Sequence, residues 1–208
     1  IPNGTLTTVS SADGGTTYTA TFTPTADVED ATNVITLANT GVTDVAGNAG
    51  VGTTDSGNFT IDTKRPTATV ALDDTALKAG ETATVTITFS EIVTGFANTD
   101  LTIPNGTLTA VSSTDGGKTY TATFTPSVNT EDATNVIILA NTGVTDVAGN
   151  AGVGTTDSDN FTIETKLPTV TTLSPADDAT DQSTTTNLVI TFSENVEKGT
   201  GNITIHKK

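Results

Sequence analysis

The sequence repeats itself at an offset of 102 residues. Residues 1–65 match residues 103–167 at 54 of 65 positions, starting with the motif IPNGTLT at Ile1 and again at Ile103. Coils of a solenoid and blades of a propeller repeat at about 20–50 residues, so this period is too long for either. It fits an array of domains that each have their own core, which strongly restricts the architectures open to the chain.

Proline marks the predicted boundaries between the units. Residues 62–67 (DTKRPT) return as residues 164–169 (ETKLPT), each time after a short strand-like run. Because proline lacks a backbone N–H, it ends a hydrogen-bonded ladder and suits a linker. We predict the C-terminal two thirds of a repeat at 1–65, a complete repeat at 66–167 and the N-terminal third of a further repeat at 168–208.

Two segments of the complete repeat alternate threonine with apolar residues. They are residues 82–89 (TATVTITF) and 119–125 (TYTATFT). A period of two places one face of a strand in a core and the threonine face in water. Asn105-Gly106 and Asp115-Gly116-Gly117 have the composition of hairpin turns.

Further strands are expected near 67–73, 98–103, 107–112, 134–141 and 160–165, which gives about seven short strands in roughly 100 residues. No segment shows helical periodicity. The predicted fold class is all-β: tandem antiparallel β-sandwiches of immunoglobulin type, without the disulfide or core tryptophan of antibody domains, since the chain has no Cys and no Trp.

The charge balance limits the possible partners. The chain has 24 acidic and 8 basic residues, a formal net charge of −16. Such a charge repels nucleic acids and anionic membranes and attracts cations. No apolar run approaches the ~18–20 residues needed to cross a bilayer, and an export signal is expected outside this sequence. This charge argues against nucleic acid and direct membrane insertion, and the tandem array predicts neighbouring repeats of the same protein as partners.

The sequence offers little for catalysis. Its single histidine, His206, lies beside Lys207 and Lys208 in what reads as a solvated terminus. The neighbouring carboxylates Asp73-Asp74 point to opposite faces if they lie on a strand, as do Asp177-Asp178, so neither is a good acid–base pair. We predict that the chain is not an enzyme.

Three motifs carry a family resemblance. Residues 77–85 (LKAGETATV), 88–91 (TFSE) and 144–150 (VTDVAGN) resemble the bacterial Ig-like repeats of giant surface adhesins, which include biofilm-associated and RTX-type adhesins. The segments SPADD and ITFSENV of the last 41 residues resemble an Ig-like variant of S-layer proteins. The resemblance implies an extracellular, surface-attached array that extends an adhesive domain for attachment or biofilm formation, with Ca²⁺ bound near domain junctions.

The acidic and amide residues suggest where a cation would bind. Strands of a sandwich run alternately up and down, so the entry linker, the loop after the second strand and the loop before the last strand share one end. Ca²⁺ prefers oxygen ligands of this kind. The candidate ligands at that end are Asp62, Glu91, Asp100, Asp146, Asn150 and Asp157, with Asp44, Asn48 and Asp55 as equivalents in the first copy.

Other interpretations stay open. Asp and Asn are also good turn residues that hydrogen-bond to their own backbone. The acidic loop at the opposite end (Glu131 and Asp132, with Asp27, Glu29 and Asp30 in the first copy) reads as solvated, although it would reach the linker of the following domain. The alternative function is an Ig-like binding module whose loops recognise a glycan or a host or cell-surface protein.

One further expectation concerns association between chains. Residues 168–208 correspond to the opening strands that residues 1–65 do not include. Because exposed strand edges pair readily, the tail of one chain is a candidate to complete the head of another by strand complementation.

Overall fold

The computed structural model describes residues 2–206, so Ile1, Lys207 and Lys208 of the predicted first and last units lie outside the described part. The structure is nearly all β, as predicted. Three short 3₁₀ turns interrupt the strands, at Asn39–Gly41, Asn98–Asp100 and Asn141–Gly143. We call residues 2–65 the leading segment, 66–167 the complete repeat and 168–206 the trailing segment.

The strands follow one another in the order of the three segments. The leading segment contains Gly4–Leu6 (β1), Phe22–Pro24 (β2), Glu29–Asn33 (β3), Thr36–Ala38 (β4), Thr53–Asp55 (β5) and Phe59–Asp62 (β6). The complete repeat contains Ala68–Leu72 (β7), Ala76–Lys78 (β8), Ala83–Phe89 (β9), Val93–Thr94 (β10), Leu101–Thr102 (β11), Gly106–Leu108 (β12), Thr119–Pro126 (β13), Glu131–Asn135 (β14), Ile138–Ala140 (β15), Thr145–Asp146 (β16), Thr155–Asp157 (β17) and Phe161–Glu164 (β18). The trailing segment contains Val170–Ser174 (β19) and Val189–Phe192 (β20).

The threonine-alternating segments form the centre of one sheet of the complete repeat. Its strand order is β12-β13-β9-β7, and all neighbours are antiparallel. Along β9 the residues Ala83, Val85, Ile87 and Phe89 are buried, whereas the threonines between them are exposed or half-buried. Burial of every second residue makes this strand half of a sandwich core.

The opposite layer consists of shorter strands. β14, β18 and β8 pair in that order, with β8 parallel to β18, and β11, β15 and β17 form a second group. Side chains from both layers meet in one core, in which Leu77, Phe124, Leu139, Phe161 and Ile163 are at most 1% exposed. The predicted immunoglobulin-type sandwich is therefore present in the complete repeat.

The strand count and one turn differ from the prediction. The complete repeat has twelve short strands rather than about seven, because the predicted strand at 134–141 is two strands, β14 and β15, and because β8, β10, β16 and β17 lie where no strand was predicted. A register shift between Asp132 and Asn135 also interrupts the pairing of β14 with β18 without dividing either strand. Asn105-Gly106 is not a hairpin turn: β11 before it pairs with β15, and β12 after it pairs with β13. It carries the chain between layers, whereas Asp115-Gly116-Gly117 does turn a hairpin, closed by the Ser112–Thr121 bridge.

The leading segment repeats the local structure of its copy with less burial. β3 pairs with β6 and β4 with β5 in the same registers as β14 with β18 and β15 with β17. Leu37 is 55% exposed, whereas its counterpart Leu139 is fully buried. Residues 2–65 have no counterparts of β7, β8 and β9, so this side of their core is uncovered.

Candidate metal centre between successive repeats

Three carboxylates from two successive units meet at one place. Asp62 ends β6 of the leading segment, Glu91 follows β9 of the complete repeat, and Asp146 ends β16. One carboxylate oxygen from each lies within 4.8 Å of those of the other two. Asp146 is 3% exposed, and Asp62 and Glu91 are half-buried. Of the residues predicted as ligands, these three form the cluster.

The turn after β16 holds Asp146 in position. Oδ1 of Asp146 accepts the backbone N–H of Asn150, and its Oδ2 accepts the Asn150 side-chain amide, both at 2.8 Å. Gly149 has a φ of +95°, a conformation that side chains with a Cβ rarely adopt, and it lets the turn close. β10 pairs with β16, Val93 opposite Asp146, so the strand register places Glu91 beside this turn.

Asn150 joins the two units. Its side-chain amide donates to the backbone oxygen of Asp62 at 3.1 Å and, at 3.5 Å, to Asp62 Oδ1. In this arrangement the Asn150 amide nitrogen donates to both units. It links Asp62 to Asp146, and its role as a ligand stays a prediction.

Matches to family models identify the chain. Two models, both described as a bacterial Ig-like domain, match it: one at residues 1–61 and again at 62–163, the other at 164–207. The chain belongs to this family. Comparison with curated proteins and with solved structures found no match. Such domains commonly occur in extracellular or surface proteins and are typically non-enzymatic structural modules.

The matched segments divide at 61/62 and 163/164. The boundaries predicted from the sequence, 65/66 and 167/168, lie four residues later and stay a prediction. Within residues 2–206 no helix is long and apolar enough to cross a membrane.

The electrostatics of the cluster are unfavourable for Glu91. Burial first, and then the negative charges of Asp146, Asp62 and Glu29, raise the pKa of Glu91 above its usual value, and Lys64 acts in the opposite direction. Burial also disfavours the charged form of Asp146, but the hydrogen bonds from Asn150 and the backbone outweigh it and lower the pKa of Asp146. The Ig-like junction thus keeps Asp146 charged, and Lys64 offsets its repulsion with Glu91 only in part.

A raised pKa at Glu91 predicts a pH dependence of stability. An acid whose pKa is higher in the folded than in the unfolded state holds its proton more readily when folded, so stability falls as the pH rises past the usual value of 4.5. We expect Glu91→Gln to reduce the loss of melting temperature between about pH 5 and pH 7 in a chelator, because glutamine does not titrate. Glu131→Gln, which removes a charge elsewhere, is the control. An unchanged pH dependence in Glu91→Gln would contradict the assignment.

Asp100 and Asp157 are not in the cluster. Oδ2 of Asp100 accepts the backbone N–H of Ala97 at 2.9 Å, which closes the 3₁₀ turn at Asn98–Asp100. A Cβ at Gly143 would overlap the Asp100 carboxylate, so this carboxylate is packed against backbone. Asp157 is exposed in β17 opposite Ile138. Asp100 therefore serves local structure, whereas Asp157 lies apart from the cluster at an exposed strand position.

Asp44 and Asn48, the equivalents of Asp146 and Asn150 in the leading segment, form the same turn. Oδ1 of Asp44 accepts the N–H of Asn48 and Oδ2 accepts its amide, both at 2.8 Å, as Asp146 does with Asn150. Asp55 accepts the hydroxyl of Thr36 at 2.7 Å. Among residues 2–206 no second group of three carboxylates comes as close as Asp62, Glu91 and Asp146.

Glu29 was predicted to lie in a solvated loop within reach of the next linker and was not among the candidate ligands, but its charge acts on Glu91. The loop assigned to the opposite end lies against the following repeat, where Glu29, Asp30 and Asp62 line a groove with Val147 and Ala148. Glu29 also pairs with Lys64, with 3.6 Å between Oε2 and Nζ. The structural reason is the antiparallel pairing of β3 with β6, which sets Glu29 opposite Asp62 on neighbouring strands.

Proposed function

We propose that this chain is a structural extender of a bacterial cell-surface adhesin, stiffened by Ca²⁺ at the junctions between its Ig-like repeats. The observation that carries the proposal is the cluster of Asp62, Glu91 and Asp146, because its carboxylates come from two successive repeats. A cation held there contacts both units at once. It therefore opposes bending at the linker as well as stabilising each fold.

The residues present fit a hard cation. Ca²⁺ takes six to eight oxygen ligands, from carboxylates, backbone carbonyls and water. Asp62, Glu91 and Asp146 offer six carboxylate oxygens, three of which also accept hydrogen bonds from Asn150. Water and nearby backbone oxygens would complete the shell. The ion would also offset the repulsion that raises the pKa of Glu91.

The near-identical copies support the extender role. Residues 1–65 and 103–167 agree at 54 of 65 positions, and a dedicated binding site is usually singular. Exposed aromatic platforms for sugars are also scarce, since the chain has only 7 Phe and 2 Tyr and its buried rings belong to the core. Projection of an adhesive domain for attachment or biofilm formation follows as the biological role.

The proposal is tested by thermal unfolding with Ca²⁺ and with a chelator. The whole chain contains the cluster, whereas a 66–167 fragment keeps β7–β18 but lacks Asp62. A ligand that binds only the folded state stabilises it by about 2.7 kcal/mol at a hundredfold excess over Kd. For a domain of this size each 1 kcal/mol raises the melting temperature by about 4–8 °C.

We expect a clear upward shift for the whole chain and a smaller one for the fragment. Equal shifts would place the ion inside the repeat and contradict the junctional assignment. No shift in either would leave a flexible spacer, or a module whose loops bind a glycan or surface protein, as the better account.

A further inference from the structure

The two repeats touch through direct hydrogen bonds beside the carboxylate cluster. Nη1 of Arg65, in the linker, donates to the backbone oxygen of Ala151 at 2.7 Å. The Asn150 amide donates to the backbone oxygen of Asp62 at 3.1 Å. Both contacts join residues 62–65 to the loop at 144–152 of the complete repeat, so this loop is held from two sides.

Apolar packing contributes little to this contact. Val147 and Ala148, at the tip of the loop, line the groove on the leading segment, but Val147 remains 79% exposed. The orientation of the repeats therefore depends on directional polar contacts, because little apolar surface is removed from water. Pro66, next to Arg65, is buried and has a fixed φ, which limits the path of the linker.

Arg65 is not placed to neutralise the cluster. The cation that lowers the pKa of Glu91 is Lys64, which also pairs with Glu29. Arg65 instead donates to a neutral carbonyl. A guanidinium has its donors in a rigid planar fork, which makes such a contact more directional than one from an ammonium group.

We propose that Arg65 is a latch that holds the two Ig-like repeats in one orientation without a metal ion. The surface it holds is the loop at 144–152 of the following repeat. The position is specific to this junction, since the 102-residue offset places Leu167, which has no hydrogen-bond donor in its side chain, at the equivalent place. The latch is independent of the proposed Ca²⁺ site, which acts at the same junction through other residues.

The test measures the distance distribution between two spin labels on the whole chain. The protein has no cysteine, so Thr23→Cys and Thr123→Cys, both at exposed positions, label one repeat each. In a chelator we expect a single narrow peak in the distance distribution of the otherwise unchanged labelled chain. In Arg65→Leu we expect that peak to be lost. Lys166→Ala is the matched control: it removes one positive charge and the Lys166–Glu131 ion pair in the complete repeat but leaves the junction intact.

The outcomes separate the latch from the ion. The latch proposal is overturned by either of two results in a chelator. One is a broad distribution of label distances in the chain that keeps Arg65, and the other is a narrow distribution in Arg65→Leu. Narrowing of Arg65→Leu on addition of Ca²⁺ supports both proposals. A third result would separate the two proposals: the distance distribution of Arg65→Leu is broad with and without Ca²⁺, while that of the chain with Arg65 is narrow in both conditions. In that case the latch stands and the calcium proposal fails. Circular dichroism of Arg65→Leu confirms that the sandwich itself is folded.

Discussion

Replacing Phe161 by alanine should destabilise the complete repeat by about 3–5 kcal/mol, the usual loss for a large aromatic removed from a core. The Phe161 side chain is fully buried, and its ring packs edge-on against Phe124 with 5.3 Å between centroids. The cost combines lost burial with the cavity left behind. The measurement is denaturant unfolding followed by the fluorescence of Tyr120, in a Tyr18→Phe background so that the signal comes from the complete repeat.

The first copy supplies the control for that substitution. Phe59 is the counterpart of Phe161 and makes the same edge-on contact, with Phe22 at 5.7 Å, but it is only half-buried. Phe59→Ala should therefore leave the unfolding of the complete repeat nearly unchanged. A loss below about 1 kcal/mol for Phe161→Ala would be inconsistent with a sandwich core at this position.

The Ca²⁺ dependence of stability should largely disappear when Asp146 is replaced by asparagine. Asparagine still accepts a hydrogen bond in the turn but removes one of the three negative charges of the cluster. If Kd rises about a hundredfold, an ion concentration that stabilised the chain by about 2.7 kcal/mol then contributes only about 0.4 kcal/mol. The measurement is the difference in melting temperature between Ca²⁺ and chelator, because this difference cancels any effect of the substitution on the fold itself.

Asp44→Asn is the matched control for Asp146→Asn. Asp44 makes the same turn with Asn48 in the leading segment, where the other two carboxylates of the cluster have no counterpart among the described residues. It should lower stability slightly and leave the Ca²⁺ response intact. Equal loss of the response in both variants would mean that the turn itself, and not the junction, binds the ion.

The strand patterns of the complete repeat were predictable because their causes are local. Alternation of threonine with apolar residues decides which face of β9 is buried, and the structure confirms it at Val85 and Ile87. The 102-residue offset likewise predicts that Asp44–Asn48 and Asp146–Asn150 form the same turn, which they do. Backbone hydrogen bonding over five residues needs no information from the rest of the chain.

The pairing of Asn105-Gly106 was not predictable in this way. Its composition is that of a hairpin turn, but the strands on either side pair with β15 and β13 in different layers. Turn composition specifies a local reversal of the backbone and says nothing about which strands become neighbours. The same limit applies to Asp100, whose residue type suited a metal ligand but whose carboxylate closes a 3₁₀ turn.

The sequence by itself determined that this protein is a series of similar β-sandwich units, since period-two alternation and a 102-residue repeat are properties of the chain order. Only the tertiary structure decided that Asp62, Glu91 and Asp146 meet, that Asp157 stays apart, and that Glu29 and Arg65 reach the next repeat. These residues are far apart in sequence: Arg65 and Ala151, for example, are separated by 86 positions. Their proximity depends on strand register and on the angle between repeats, and both result from packing of the whole chain.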